Sequence, residues 1–368
     1  MKISKLHLTL SAVALTMTAN STTANAQSKG VKDKNLAPAS KFDLSHWNIT
    51  LPNDENKDGK VDSISVKDLQ KYSHPNFFFL DNQNRMVFTA PNKGLTTKNT
   101  SNTRSELRYM HRGKNTKIKT HNAANNFALD VFATEAKKKS IKFGSIGGKM
   151  DATLNVNHVA LNAGNPNKKA AYSAVVGQIH ATKYDSTKSG FGYGNEPLKI
   201  YYKKWPGHNT GSVFWNYERN LAKKDENRKD ITYPVWGYTW ENPADPGING
   251  VALGEDFSYT VNVHKNTMHL TFTSPTKATV TYSINLANNV DAYGRVDPLD
   301  NKYSYAGDSL YFKAGVYNQC SSQKGQKKDS SPWVTACSGT GDWEKDRANG
   351  DYAQATFSNL VVGPSTAP

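Results

Sequence analysis

Apolar residues in this chain recur at every second position, and that period limits what the chain can become. Phe257, Tyr259, Val261 and Val263 alternate with Ser, Thr and Asn, a turn at Lys265-Asn266 follows, and Met268, Leu270 and Phe272 then alternate again. In an extended strand residues i and i+2 share a face, so this stretch reads as a hairpin with one buried and one solvated side. Ala278 to Leu286 and Tyr352 to Val362 carry the same pattern. Helical periodicity is nearly absent. The best helix candidate is Ser65 to Tyr72, with Ser65 as N-cap and Asp68 three residues on. Many strands separated by Gly-, Pro- and Asn-rich turns predict an all-β sandwich or jelly roll. No internal repeat or composition break divides residues 41–368, so one domain is expected there, with long connections at 110–125, 161–172, 181–197, 220–250 and 321–350.

The N-terminus reads as a processing signal. Lys2 and Lys5 precede the apolar stretch Leu6 to Met17, and Ala24-Asn25-Ala26 matches a cleavage site. This predicts a secretory signal peptide over 1–26, followed by a polar linker over 27–40. The apolar stretch is shorter than the about 20 residues that span a bilayer, and no later segment is long and apolar enough to do so. In an exported protein the two cysteines, Cys320 and Cys337, are expected to form a disulfide, with two free thiols as the alternative.

The chain carries 46 Lys and Arg against 31 Asp and Glu, a formal charge of +15. Nucleic acid, an anionic membrane and an acidic polysaccharide all suit such a field, so the positions of the charges must decide. Four strands answer. Arg104, Glu106 and Arg108 share a face, with Leu107 opposite. Gln178 and His180 share a face, with Val175 and Ile179 expected to point to the core. Lys199, Tyr201 and Lys203 lie opposite Leu198, Ile200 and Tyr202. Tyr311, Lys313, Tyr317 and Gln319 lie opposite Phe312, Ala314 and Val316. Joined in one sheet, these would make a face of cations, amides and rings. Arg forks match carboxylates and aromatic faces stack on sugar rings, which points to an acidic polysaccharide rather than nucleic acid or a membrane, bound by a monomer.

Arg104-Ser105-Glu106-Leu107, Gln178-Ile179-His180 and the nine residues from Tyr311 to Gln319 resemble, in order, the three signature blocks of alginate lyases of polysaccharide lyase family seven. The opening Phe42 to Pro52 looks like the family's first strand, so the resemblance extends from about Phe42 to Val362. It implies a β-jelly roll of two antiparallel sheets with a substrate groove on the concave one, and β-elimination of alginate to give 4,5-unsaturated uronate ends. Carried over by motif position, the catalytic set would be Arg104, Gln178, His180 and Tyr317. Glu106, Arg108, Lys199, Tyr201, Lys203, Lys313 and Gln319 are expected to bind or frame the substrate. The isoleucine of the middle block, Ile179, resembles members that act on guluronate-containing alginate.

No cofactor is expected. Asp54-Glu55-Asn56-Lys57-Asp58-Gly59 opens like an EF-hand loop, but position twelve is Ser65 where that motif has a bidentate Glu. Structural calcium there and a plain surface turn both remain open. Two other functions compete: a noncatalytic jelly-roll binder of acidic polysaccharide, and a glycoside hydrolase. The second needs two groove carboxyls about 5–9 Å apart, and Glu106 alone is placed on the expected face. Exolytic or endolytic action is not fixed by the sequence.

Overall fold

The structure is a computed structural model and describes residues 36–138, 140–183, 192–324, 328 and 330–368. The expected signal peptide and residues 27–35 of the expected linker lie outside the described residues. In chain order the first strands are β1 (Trp47–Thr50), β2 (Ser63–Ile64), β3 (Phe78–Leu80), β4 (Met86–Pro91), β5 (Arg104–Tyr109), β6 (Phe127–Ala128), β7 (Ser145–Ile146) and β8 (Gly148–His158). They continue as β9 (Ser173–Lys183), β10 (Leu198–Lys203), β11 (Ser212–Glu218), β12 (Asp230–Trp236), β13 (Phe257–His264), β14 (Thr267–Ser274), β15 (Lys277–Asn285), β16 (Asp308–Asn318) and β17 (Tyr352–Gly363). Three α-helices occur among the described residues: α1 (Val66–Leu69), α2 (Asp130–Lys138) and α3 (Trp343–Asn349).

One sheet runs β12-β11-β10-β9-β16-β5-β1-β2, with β6 and β7 attached beside β16; the other runs β15-β14-β13-β8-β17-β4-β3. Ile179, Ile200, Trp215, Phe312, Ala314 and Val316 of the first meet Leu154, Val261, Leu270 and Phe357 of the second in one buried core. This is the two-sheet antiparallel sandwich of a β-jelly roll. The alternating hairpin forms in the expected register, with Tyr259 opposite Phe272 and Val261 opposite Leu270. Helix α1 starts where expected: the Asp68 amide donates to Ser65 Oγ at 3.3 Å.

Three expectations need correction. Part of the 220–250 connection is the strand β12, where Tyr233 and Trp236 are buried and Pro234 is accepted because β12 is an edge. Part of 321–350 is α3, which begins at Asp342, whose carboxylate accepts from the amides of Glu344 and Lys345. Val175 does not face the core with Ile179. The β9–β10 register slips between Ile200 and Tyr201, and Val175 packs with Tyr201, Phe214 and Trp240 on the other side. A bulge inverts the facing of residues beyond it, which strict alternation cannot foresee. Two glycines serve this region. A Cβ on Gly177 would lie 2.6 Å from the Tyr259 hydroxyl, and Gly315 holds φ +131° with Ser105 O only 2.5 Å from where its Cβ would be.

Asp308 opens β16 inside the protein. Its Oδ2 accepts from Asn220 Nδ2 at 2.7 Å and the Gly194 amide at 3.2 Å, while Oδ1 meets no side-chain donor among the described residues. Burial pushes this carboxyl up to about 7. The unfolded chain titrates it near about 3.9, so between those values the folded state holds the extra proton. The group's stabilising contribution is full below about 4 and is lost as pH rises through about 7. Asp308→Asn should therefore gain melting temperature relative to wild type at pH 8 and gain much less at pH 5. An equal difference at both pH values would contradict this reading.

Candidate active site

The four polar-faced strands that the sequence singles out are neighbours, in the order β10-β9-β16-β5. Strand β16 lies between β9 and β5, with Lys313 opposite both Gln178 and Arg108, and Tyr317 opposite Arg104. The groove face is therefore assembled by pairing register alone.

Its centre is one carboxylate. Glu106 is only 2% exposed. Its Oε2 accepts from Arg104 Nη1 at 2.8 Å and from Lys313 Nζ, and its Oε1 accepts from Gln178 Nε2. Burial by itself would raise this carboxyl, but the charges of Lys313 and Arg104 outweigh burial and hold it below the usual range. Burial and the repulsion of Arg104 bring the Lys313 ammonium down to about 8 against the pull of Glu106. Arg104 keeps donor capacity: its Nε is buried without a hydrogen-bond partner among the described residues. Its guanidinium lies 4.1 Å from the centroid of the Tyr317 ring, and the Tyr317 hydroxyl is 2.7 Å from Thr100 Oγ1.

His180 follows Gln178 on the same face. Its ring stacks on Tyr311 at 5.3 Å. Nδ1 lies 2.7 Å from Ala181 O, and Nε2 lies 3.0 Å from Glu196 Oε1. Lys199 bridges Glu196 at 3.1 Å and Glu218 at 3.5 Å. Arg108 covers Tyr311 at 3.8 Å and donates to Thr120 O and Asn126 Oδ1, each at 3.0 Å, so it braces the connection after β5.

The remaining expected residues sit deeper. Tyr201 is buried beneath Trp240, with ring centroids 4.7 Å apart. Lys203 is 3% exposed, and its Nζ donates to the carbonyls of Lys169 and Ala171; burial takes its ammonium down to about 7. Gln319 is buried and donates to Tyr317 O at 3.4 Å. Cys320 and Cys337 form a disulfide just beyond it. Sequence reasoning missed Thr100, Glu196, Glu218, Trp240 and Trp333. All but Glu218, the last residue of β11, lie in connections, where no periodicity marks a facing.

In the Asp54–Asp62 loop the carboxylates accept from the loop's own amides: Asp54 from Asp58 and Gly59, and Asp62 from Glu55. Among the described residues no group of three or more His, Cys, Asp or Glu is arranged to hold a metal ion.

Residues 42–364 match the family model described as "Alginate lyase". An alginate lyase of Klebsiella pneumoniae is 36% identical over 330 residues, which is 88% of this chain and 90% of that protein. The crystal structure of the alginate lyase from Klebsiella pneumoniae superposes with a TM-score of 0.69 at 31% identity, covering 90% of this chain and 99% of that one. An exolytic family-seven alginate lyase from Zobellia galactanivorans gives 0.67 at 32% identity, again over 90% and 99%.

Replacing Glu106 by Gln leaves two buried cations and an amide without their shared anion. Breaking a buried pair in this way costs about 3–5 kcal/mol, so Glu106→Gln should show a loss of that order in urea unfolding. A loss under about 1 kcal/mol, the range of a surface ion pair, would show that the carboxylate does not hold these strands' side chains in place.

Proposed function

The chain belongs to the alginate lyase family, and from that premise we propose how its groove side chains divide the elimination. The observation that carries the scheme is the contact of Arg104 with the Tyr317 ring, while Glu106 ties Arg104, Gln178 and Lys313 together. The C5 proton of a uronate is weakly acidic and leaves only when charge building on the C6 carboxylate is neutralised. Arg104 and Gln178 donate to that carboxylate, as preorganised donors do at an oxyanion site. A base removes the C5 proton, the C4–C5 double bond forms, the C4–O4 bond breaks, and an acid protonates O4. Tyr317 is the acid. In guluronate the C5 hydrogen and O4 lie on opposite ring faces, and His180 is the base. In mannuronate they lie on one face, and Tyr317 serves both steps, its phenolate oxygen taking the C5 proton and passing it to O4. Only protein groups take part in these steps.

The substrate preference we propose is guluronate-containing alginate, in line with Ile179 in the middle block. The proposed action is exolytic. Trp240 packs on Tyr201 and on Phe214, at 4.7 and 4.5 Å, and Trp333 packs on Trp240 at 5.4 Å. Tyr317 borders the same cluster. Side chains from two long connections thus fill the groove face beside the catalytic tyrosine, which suits a chain end better than a polymer passing through. The 32% identical relative from Zobellia galactanivorans is described as exolytic. Export by the leader over 1–26 accords with the disulfide, and the protein is proposed to act as a monomer.

With alginate, wild-type protein should raise the ultraviolet absorbance of the unsaturated product. A hydrolase would give reducing ends without it, and a binder neither. Tyr317→Phe should lower kcat by about 10²–10⁴-fold with the circular dichroism spectrum unchanged; a near-normal rate would remove Tyr317 from the mechanism. Early products on polyguluronate should be short, beside an intact polymer peak. A ladder of intermediate lengths would contradict exolytic action.

A further inference from the structure

The proposed base has both of its nitrogens engaged. His180 Nδ1 is 2.7 Å from Ala181 O, which only accepts, and Nε2 is 3.0 Å from Glu196 Oε1. A neutral imidazole owns one N–H and one lone pair. To bond a carbonyl and a carboxylate together the ring needs an N–H on each side, and it then has no lone pair to offer a C5 proton. The alternative is a protonated Glu196, which its surroundings oppose. Lys199 Nζ is 3.1 Å from its other oxygen. Burial would raise the Glu196 carboxyl, yet Lys199 and His180 hold it well below the usual carboxylate range. The neighbouring Glu218 goes the other way, pushed well above that range by burial and by the Glu196 charge.

We propose that Glu196 is the positioning residue that decides whether His180 enters the reaction: it holds the Nε2 proton at rest, and the imidazole becomes a base only when the sugar takes the carboxylate's place and that proton leaves to solvent. The inference rests on the division of roles given above. Tyr317 is not restrained in this way. Its hydroxyl meets Thr100 Oγ1, a group that both donates and accepts. At rest the imidazole is thus withheld, and the guluronate route opens when guluronate itself displaces Glu196, whereas the Tyr317 oxygen carries no such restraint. Glu196 is placed for this by the segment before β10. There the Gly194 amide is held by Asp308 at 3.2 Å, and Asn195 Nδ2 donates to Leu221 O at 2.8 Å. The groups around the imidazole come from every neighbouring element: Tyr311 stacked from β16 with Arg108 of β5 against it, His121 of the connection after β5 bonded to Thr182 at 3.4 Å, and Lys199 of β10. Behind Lys199 stands Glu218 of β11, paired with Arg228 at 2.8 Å. Of these, Glu196 is the one whose carboxylate meets Nε2.

The test uses the full-length protein, Glu196→Gln and Glu196→Asp, with circular dichroism as the fold check. Nitrogen-15 NMR of the histidine rings near pH 7 should show two N–H nitrogens on His180 in wild type and Glu196→Asp, and one lone-pair nitrogen in Glu196→Gln. The ratio of initial rates on polyguluronate and polymannuronate should rise about 3–10-fold in Glu196→Gln, the size of one exchanged hydrogen bond, and stay near wild type in Glu196→Asp. A wild-type protein that makes no unsaturated product sinks the catalytic reading and this inference with it. An active wild type whose His180 already shows a lone pair, or a Glu196→Gln ratio that stays level or falls, sinks this inference alone.

Discussion

A buried anion on the face of a sheet is costly unless its charge is met, and here the groove is organised around meeting it. Glu106 sits on β5 and is reached by Arg104 of its own strand, Lys313 of β16 and Gln178 of β9. Desolvating a carboxylate costs several kcal/mol, which good geometry and full pairing can offset. Removing any partner leaves the rest exposed to that cost. The arrangement therefore selects one placement of three donors, two of which are the ones proposed to meet the substrate carboxylate. Arg104 spends one Nη on Glu106 and retains an Nε unpartnered among the described residues, so a side chain fixed by the protein still has hydrogen bonds to give.

The sandwich makes this possible through its core. Leu107, Ile179, Phe312 and Val316 are buried against the opposite sheet, and a one-residue slip of register would turn the polar face inward. The same apolar pattern that holds the sheets together also aims Arg104, Gln178, His180 and Lys313 at the groove. Packing and the placement of the proposed catalytic groups thus share one constraint. The bulge beside Gly177 is the local exception, and it sets Val175 on the groove side.

Much of this was legible in the sequence where the period of two runs unbroken. The β13–β14 hairpin, the facing of β5, and the inward Phe312, Ala314 and Val316 follow from alternation. The commitments of the cations were not legible. Lys199 and Lys203 lie on the strand face that alternation assigns, yet one is tied to Glu196 and Glu218 and the other to two backbone carbonyls. Periodicity says which way a side chain starts, and only tertiary packing says what it meets. Glu196, Trp240 and Trp333 come from connections, whose path the sequence leaves open, so neither the imidazole's partner nor the aromatic wall could be read in advance. Strand β12 falls inside the expected 220–250 connection, and Pro234 in its middle argues against a strand there.

The central claim is that the cluster held by Glu106 receives the sugar's carboxylate. A crystal structure of the slowed Tyr317→Phe protein with a guluronate oligosaccharide tests it most directly. One uronate carboxylate should lie within hydrogen-bonding distance of Arg104 and Gln178, with its C4–O4 bond beside residue 317. A sugar whose carboxylates all point away from Arg104 and Gln178 would contradict the account.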